Sequence, residues 1–400
     1  MSSNRRNFLK TAGILTAVSS LISNETVAEV LQKQGKKSSN KVLKPTLPIP
    51  PKVIATQTAG VTGASPVPTD VQKRWMEMKF GMFIHFGINT YYDKEWSDGT
   101  LDISKVNPIE LDTDQWCRVA KEAGMKYIVM ITKHHDGFCN WNTKFTNYSI
   151  KNTPFKQDII AKLAESAKKY DLKLGLYYSL WDRHEKSHDS NEQEYVEFMK
   201  NQLEELLTNY GSVCELWFDG FWKKQHSGWK SKKAIDGELV ETGDDRTRDE
   251  DFINAWRNEG AFRWQMDHVY QFIKKLQPEC LVMNNSTTSY TGVPLHPVDI
   301  RSGEKATKFK PDRKIWNWKG DDIYLPLQIE TTMSVKGNEQ FPSGNWFWHE
   351  VDHSVASKEQ ILEWLSIAEK MEANLLLNCG VMANGKLRPE DEKVLLSLKK

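Results

Sequence analysis

Residues 123–138 read Ala-Gly-Met-Lys-Tyr-Ile-Val-Met-Ile-Thr-Lys-His-His-Asp-Gly-Phe. An amphipathic stretch, Asp112 to Ala123, runs up to Gly124, a residue that accepts the left-handed conformation that stops a helix. Tyr127 to Thr132 then form a short apolar run of strand length, and the run ends in a polar cluster, Lys133-His134-His135-Asp136. Helix, buried strand and polar strand end make up one unit, and that unit recurs on both sides of this stretch.

Working outward, the strands expected are Gly81 to Phe86, Tyr127 to Thr132, Lys173 to Ser179, Glu215 to Asp219, Cys280 to Asn284, Val298 to Arg301, Tyr324 to Thr331 and Asn374 to Asn378. Helical patterns fill Asp112 to Ala123, Asp158 to Tyr170, Glu192 to Tyr210, Ala261 to Leu276 and Lys358 to Met371. Eight strands over about 300 residues fit an (α/β)8 barrel better than an open doubly wound sheet. No Gly-x-Gly-x-x-Gly follows the first strand, so a dinucleotide fold has no support. Strands five and six lie too close for an ordinary helix between them, which predicts an irregular barrel at that point.

Composition narrows the partners. The 400 residues carry 54 Lys and Arg against 53 Asp and Glu, a net charge of +1, which removes the main reason to expect nucleic acid or an acidic membrane surface. Tryptophan is abundant, 15 against 12 Tyr and 16 Phe, and aromatic faces suit both a core and the apolar faces of sugars. The five Cys have no paired spacing, which argues against a disulfide framework or a structural zinc site.

The chain opens Met-Ser-Ser-Asn-Arg-Arg-Asn-Phe-Leu-Lys, followed by the mildly apolar Thr11 to Ile22. Residues 1–28 read as an export signal resembling the twin-arginine kind, too short for a membrane span, which needs about 20 apolar residues. The expected destination is the bacterial periplasm or the medium, after folding in the cytoplasm. Residues 29–70, rich in Lys, Ser, Thr and Pro, read as an extended tether. Residues 71–400 read as one barrel domain.

In such a barrel the chemistry gathers where strands end. Those positions hold His85 with Glu95-Trp96 on its loop, Lys133 to Phe138, Tyr177-Tyr178 with Trp181, Asp219, Asn284-Asn285, Arg301 with Glu304, and Glu330. Carboxylates among imidazoles and aromatics, without a phosphate-binding glycine loop, suit hydrolysis of a glycosidic bond. Asp219 could instead cap a helix, but its place at the end of an apolar strand in a barrel mouth favours function. His134 and His135 could be thought a metal pair; neighbours on one strand point to opposite faces, so no metal site is expected from them. The acidic run Glu238 to Asp251 reads as a solvated loop, and His184, His188 and His226 receive no role.

Five ordered motifs, Phe80-Gly-Met-Phe-Ile-His-Phe-Gly87, Ala123-Gly-Met-Lys-Tyr127 leading into Lys133-His-His-Asp-Gly-Phe138, Gly175-Leu-Tyr-Tyr-Ser179, Leu216-Trp-Phe-Asp-Gly220 and Asn374-Leu-Leu-Leu-Asn378, resemble glycoside hydrolase family 29, the α-L-fucosidases. The resemblance implies a retaining mechanism on a terminal α-L-fucosyl unit of a fucosylated oligosaccharide or glycoconjugate, with Asp219 as nucleophile. It implies that His85, Glu95, His134, His135 and Tyr178 bind the sugar or orient Asp219, with Trp96 in the wall. Glu304 falls in a segment resembling the one that carries the acid/base in some members, and Glu330 is a second, more structural candidate. Many members carry an Arg in an Asn-Asp-Arg element where this chain has Asn284-Asn285-Ser286, and Arg301 is the candidate replacement. No metal or organic cofactor is implied. Such members usually continue into a β-sandwich, which this chain, ending at Lys400, is expected to lack. A retaining pair needs its carboxyl groups about 5 to 5.5 Å apart. The competing expectations are a fucose-like substrate such as an α-L-galactoside, a non-catalytic fucose-binding barrel, and a metal-dependent hydrolase using His134 and His135. Trp346 and Trp348, in the loop 341–348, are candidates for a lid or subsite.

Overall fold

The computed structural model of the chain describes residues 66–220, 264–285, 297–318, 321–337 and 344–399. The readings of an export signal, of the tether up to residue 65, of the acidic run and of His226 lie outside the described residues.

Eight parallel strands close a barrel: β1 (Phe80–His85), β2 (Tyr127–Lys133), β3 (Lys173–Ser179), β4 (Val213–Asp219), β5 (Leu281–Asn284), β6 (Ile300–Glu304), β9 (Leu327–Thr332) and β10 (Ala373–Gly380). The connection from β6 to β9 carries an antiparallel hairpin, β7 (Ile315–Trp318) and β8 (Asp321–Tyr324). Part of the expected seventh strand, from Tyr324, belongs to that hairpin instead. β5 and β6 share only two register pairs, Met283 with Ile300 and Asn284 with Arg301, so the barrel is irregular where the short spacing predicted it.

The strands are buried on both faces, and two apolar clusters divide their side chains. Phe83, Val129, Tyr177, Trp217, Met283 and Leu376 fill the barrel interior. Met82, Met130, Tyr178, Phe218 and Val282 face the outer layer, which includes the helices Thr113–Glu122, Ile159–Lys169, Glu192–Asn209, Met266–Leu276 and Lys358–Lys370. This period-two split decides which residues of each strand end reach the barrel mouth.

The floor is closed from the N-terminal side by the helix Asp70–Met76, whose start is fixed by a capping box between Thr69 and Gln72. This helix begins at Asp70, the last residue of the stretch that reads as a tether. Trp75 enters the barrel and donates its indole N–H to Glu215 at 2.5 Å, while Gln328 donates to both Glu215 oxygens. The opposite end remains the place for chemistry. All five cysteines are free thiols.

Candidate active site

Asp219 ends β4 on the same face as Glu215 and Trp217. Its Oδ2 accepts the Tyr177 hydroxyl at 2.8 Å and its Oδ1 accepts the Gly220 N–H at 2.8 Å. His135 Nε2 stands 3.5 Å from Oδ2. Burial, and then the charge of Glu304, raise this carboxyl to about 7, against the hydrogen bonds that favour its ionised form. Gly220 has a φ of +72°, and a Cβ there would lie 2.9 Å from the Trp181 ring, so the turn after Asp219 needs glycine.

Three imidazoles gather at this end of the barrel, His134 and His135 beside that carboxyl and His85 against His134. His85 bonds through Nδ1 to Asn378 Oδ1 at 2.8 Å. The Asn378 amide nitrogen donates to the Trp346 carbonyl and to Thr332, so its oxygen must accept and His85 must carry its proton on Nδ1. Burial lowers His85 to about 3, so the ring is neutral and turns an Nε2 acceptor away from Asn378. His134 and His135 are neighbours 4.1 Å apart by ring centroid, and burial holds both well below the usual histidine range. His135 Nδ1 meets Ser179 Oγ at 2.6 Å.

The expectation that adjacent histidines face apart is corrected by this geometry. Alternation holds within a strand, but β2 ends at Lys133 after a register shift, and both histidines lie in a turn closed by the Gly137 N–H on the His134 carbonyl. Among the described residues, His134, His135 and Asp219 form a group that could offer ligands to one ion, their nearest donor atoms lying within 4.8 Å of one another.

The second carboxyl group comes from β6. Glu304 Oε2 accepts the Asn285 side-chain N–H at 2.8 Å. Beside it lies Glu330, fully buried in β9, its Oε2 3.0 Å from Ser302 Oγ and accepting the Gly303 N–H at 3.0 Å. Glu304 and Glu330 are register partners across the β6–β9 pair.

Glu95 reaches the mouth by clamping a loop. Its carboxylate accepts the backbone N–H groups of Trp346 and Phe347, both at 3.1 Å, and His349 Nε2 at 2.8 Å. The loop then lays Trp346 and Phe347 against His85, with ring centroids 5.0 and 5.5 Å away. Trp96 and Trp181 wall the other side at 5.7 and 4.9 Å from His135. The aromatic surface is therefore built from three separate loops around the imidazoles.

Two expected site residues stand elsewhere. Tyr178 points outward: its hydroxyl donates to Gln202 at 2.7 Å and its ring lies under the Lys133 ammonium. Its neighbour Tyr177 takes the place beside Asp219, because Tyr177 and Trp217 are register partners on the inner face. Arg301 also faces outward, forking onto both oxygens of Asp312, while alternation turns Ser302 and Glu304 inward. Ser179, Asn285 and Asn378 had drawn no individual role from the sequence.

Two carboxyl groups and three neutral imidazoles under an aromatic rim, at the C-terminal mouth of a closed (β/α)8 barrel, define a class of protein suited to acid–base and nucleophilic work on a polyhydroxylated substrate. The chain belongs to the α-L-fucosidase family, whose model matches residues 102–400. It is similar to alpha-L-fucosidase 1 of Arabidopsis thaliana, 28% identical over 345 residues that cover 82% of this chain and 59% of the relative. A solved glycoside hydrolase 29 family member from an unknown rumen bacterium superposes with a TM-score of 0.67 at 30% identity, over 84% of this chain and 57% of that one. Alpha-L-fucosidase isoenzyme 1 from Paenibacillus thiaminolyticus gives 0.61 at 26%, over 82% and 74%. The chain thus spans less than two thirds of the plant and rumen relatives.

Proposed function

We propose that the chain is a retaining exo-glycosidase that releases terminal α-L-fucosyl residues from fucosylated oligosaccharides or glycoconjugates. The observation that carries this reading is Asp219, buried at the end of β4 and held by Tyr177, Gly220 and His135, with Glu304 close enough to raise its pKa. Asp219 attacks the anomeric carbon as the glycosidic C–O bond breaks, and protonated Glu304 gives its proton to the departing oxygen. Glu304, now a carboxylate, takes a proton from water as that water displaces Asp219, so the sugar leaves with its configuration retained. His85 accepts a sugar hydroxyl proton at Nε2, His134 and His135 bind neighbouring hydroxyls, and Trp96, Trp181, Trp346 and Phe347 cover the apolar edge that carries the C5 methyl group.

The test is Asp219→Gly on 4-nitrophenyl α-L-fucoside. Turnover disappears, and azide restores it as an inverted glycosyl azide; near-wild-type turnover without azide would sink the assignment. A panel of α-1,2, α-1,3, α-1,4 and α-1,6 fucosides beside the α-L-galactoside decides linkage and sugar, and binding without turnover would leave a fucose-binding barrel. No step above uses a metal ion. Turnover abolished by a chelator and restored by a divalent cation would favour an ion at His134, His135 and Asp219 instead.

Export in the folded state is also proposed, on the paired Arg5-Arg6 and the weakly apolar stretch after it. Cell fractionation checks it: the wild type reaches the periplasm or medium, and the Arg5→Lys, Arg6→Lys double variant stays in the cytoplasm.

A further inference from the structure

We infer that Glu330, Ser302 and Asn285 form a one-way hydrogen-bond relay that positions Glu304, with Glu330 as a neutral acid at its buried end. The inference rests on Glu304 being the acid/base. Its geometry is a chain of four side chains. Glu330 Oε2 is 3.0 Å from Ser302 Oγ, Ser302 Oγ is 3.3 Å from Asn285 Oδ1, and Asn285 Nδ2 is 2.8 Å from Glu304 Oε2. Asn285 is anchored from behind by its own backbone N–H, which donates to the Phe218 carbonyl at 2.7 Å.

The direction follows from counting protons. When Glu304 is a carboxylate, waiting to activate water, it can only accept, so Asn285 must turn its NH2 toward it. The Asn285 carbonyl then faces Ser302 and takes the single proton of that hydroxyl. Ser302 has nothing left to donate to Glu330, so the 3.0 Å contact between Ser302 Oγ and Glu330 Oε2 is a hydrogen bond only if Glu330 supplies the proton. A protonated Oε2 still accepts the Gly303 N–H through its lone pair. The surroundings agree. Glu330 is fully buried, its hydrogen-bond partners are Ser302, Gly303 and the Trp217 indole, and the nearby charge that acts on it is the like charge of Glu304. Burial first, and then Glu304, hold its carboxyl well above the usual carboxylate range.

The relay has a consequence for the reaction. An N–H donated to Glu304 Oε2 favours the proton on the other oxygen, because the carbonyl oxygen of a carboxylic acid is a stronger acceptor than its hydroxyl oxygen. The acidic proton therefore sits on Oε1, and Glu304 enters the first step with the proton on the oxygen turned away from Asn285. An amide suits this task because it cannot change its own charge as Glu304 cycles between acid and base.

The experiment compares a fucoside with a poor leaving group, which needs the acid, and 4-nitrophenyl α-L-fucoside, which does not. Ser302→Ala lowers kcat/KM at least tenfold on the first and less than threefold on the second, while Asn285→Asp, which also removes the amide's hydrogen bond to Asp219, lowers both and moves the basic limb of the pH profile. Glu330→Ala behaves like Ser302→Ala, and Glu330→Gln, which still offers an N–H to Ser302, recovers most of the loss. Difference infrared spectra of wild type against Glu330→Gln at pH 7 show a protonated carboxyl band. A carboxylate band, or a Glu330→Gln loss equal to that of Glu330→Ala, overturns the relay. Glu304→Gln is the control. If it loses the poor-leaving-group substrate while Ser302→Ala keeps it, the relay alone fails; if Glu304→Gln keeps it, the acid/base assignment fails and takes the relay with it.

Discussion

Tyr177 donates its hydroxyl to Asp219 Oδ2 at 2.8 Å, while Tyr178, one residue along the same strand, donates to Gln202 on the far side of the barrel wall. Removing the first hydroxyl takes a charge-assisted hydrogen bond from the reacting carboxylate, worth about 1.5–3 kcal/mol, or roughly tenfold to a hundredfold in rate. Tyr177→Phe is expected to lower kcat/KM on 4-nitrophenyl α-L-fucoside by that factor. Tyr178→Phe should leave kcat/KM within about twofold and lower the melting temperature, since it orphans Gln202 in a buried layer. Steady-state kinetics and thermal melts on the two variants check this.

The raised pKa of Asp219 sets the acid side of the pH profile. Its carboxyl, at about 7, must be ionised to attack, so kcat/KM falls as pH drops through that value. Part of the rise comes from the Glu304 charge. Glu304→Gln removes that charge, so the acid limb measured with an activated fucoside should move to lower pH. A limb that stays in place would mean that burial alone sets it.

Glu215, fully buried on the barrel floor under Trp75, is held near 7 by burial, against the hydrogen bonds from Gln328 and Trp75. The folded state keeps a proton that the unfolded chain releases above about 4.3. Stability from this group is therefore full below that pH and is lost as pH rises toward 7. Glu215→Gln removes the ionisation, and should raise stability at pH 7 by up to about 3 kcal/mol while changing little at pH 4. Gln328 can accommodate it by turning its amide, since its Oε1 has no partner among the described residues. Urea unfolding at the two pH values is the measurement.

Glu95 ties the loop bearing Trp346 and Phe347 to the mouth, and His349 lies between Glu95 and Asp93. Burial works against the His349 charge, but Glu95 first, with Asp93 and Asp352, outweighs it and raises its pKa. The ion pair is then complete at pH values below that of free histidine and is lost as pH rises through the raised value. Glu95→Ala should raise KM several-fold with a smaller change in kcat and make the loop easier to cut by protease. Wild-type KM should climb at alkaline pH, and Glu95→Ala should abolish the climb.

Much of the barrel was legible along the chain, because each βα unit is local: an apolar run of strand length, a helix of period 3.6 and a glycine stop lie within about 40 residues. The polar residues that close each run marked the mouth, and Asp219, Glu304, His85, His134 and His135 all stand there. The hairpin β7–β8 was not legible, since its four-residue strands carry no distinctive period. Nor was the pairing of the histidines, which depends on where β2 stops.

What the sequence by itself determined is the order of strands and helices and the residues at strand ends, because those follow from neighbours in the chain. The tertiary structure decided which face each of those residues takes and whom it meets. Tyr177 and Tyr178, or Arg301 and Ser302, sit in runs buried on both faces, where no alternation of polar and apolar residues reveals the inner side. Their partners come from distant segments, 42 residues apart for Tyr177 and Asp219, 254 for Glu95 and His349, and 293 for His85 and Asn378. Only closing the barrel, which brings β10 beside β1, puts those groups within hydrogen-bond reach and gives each carboxyl group its environment.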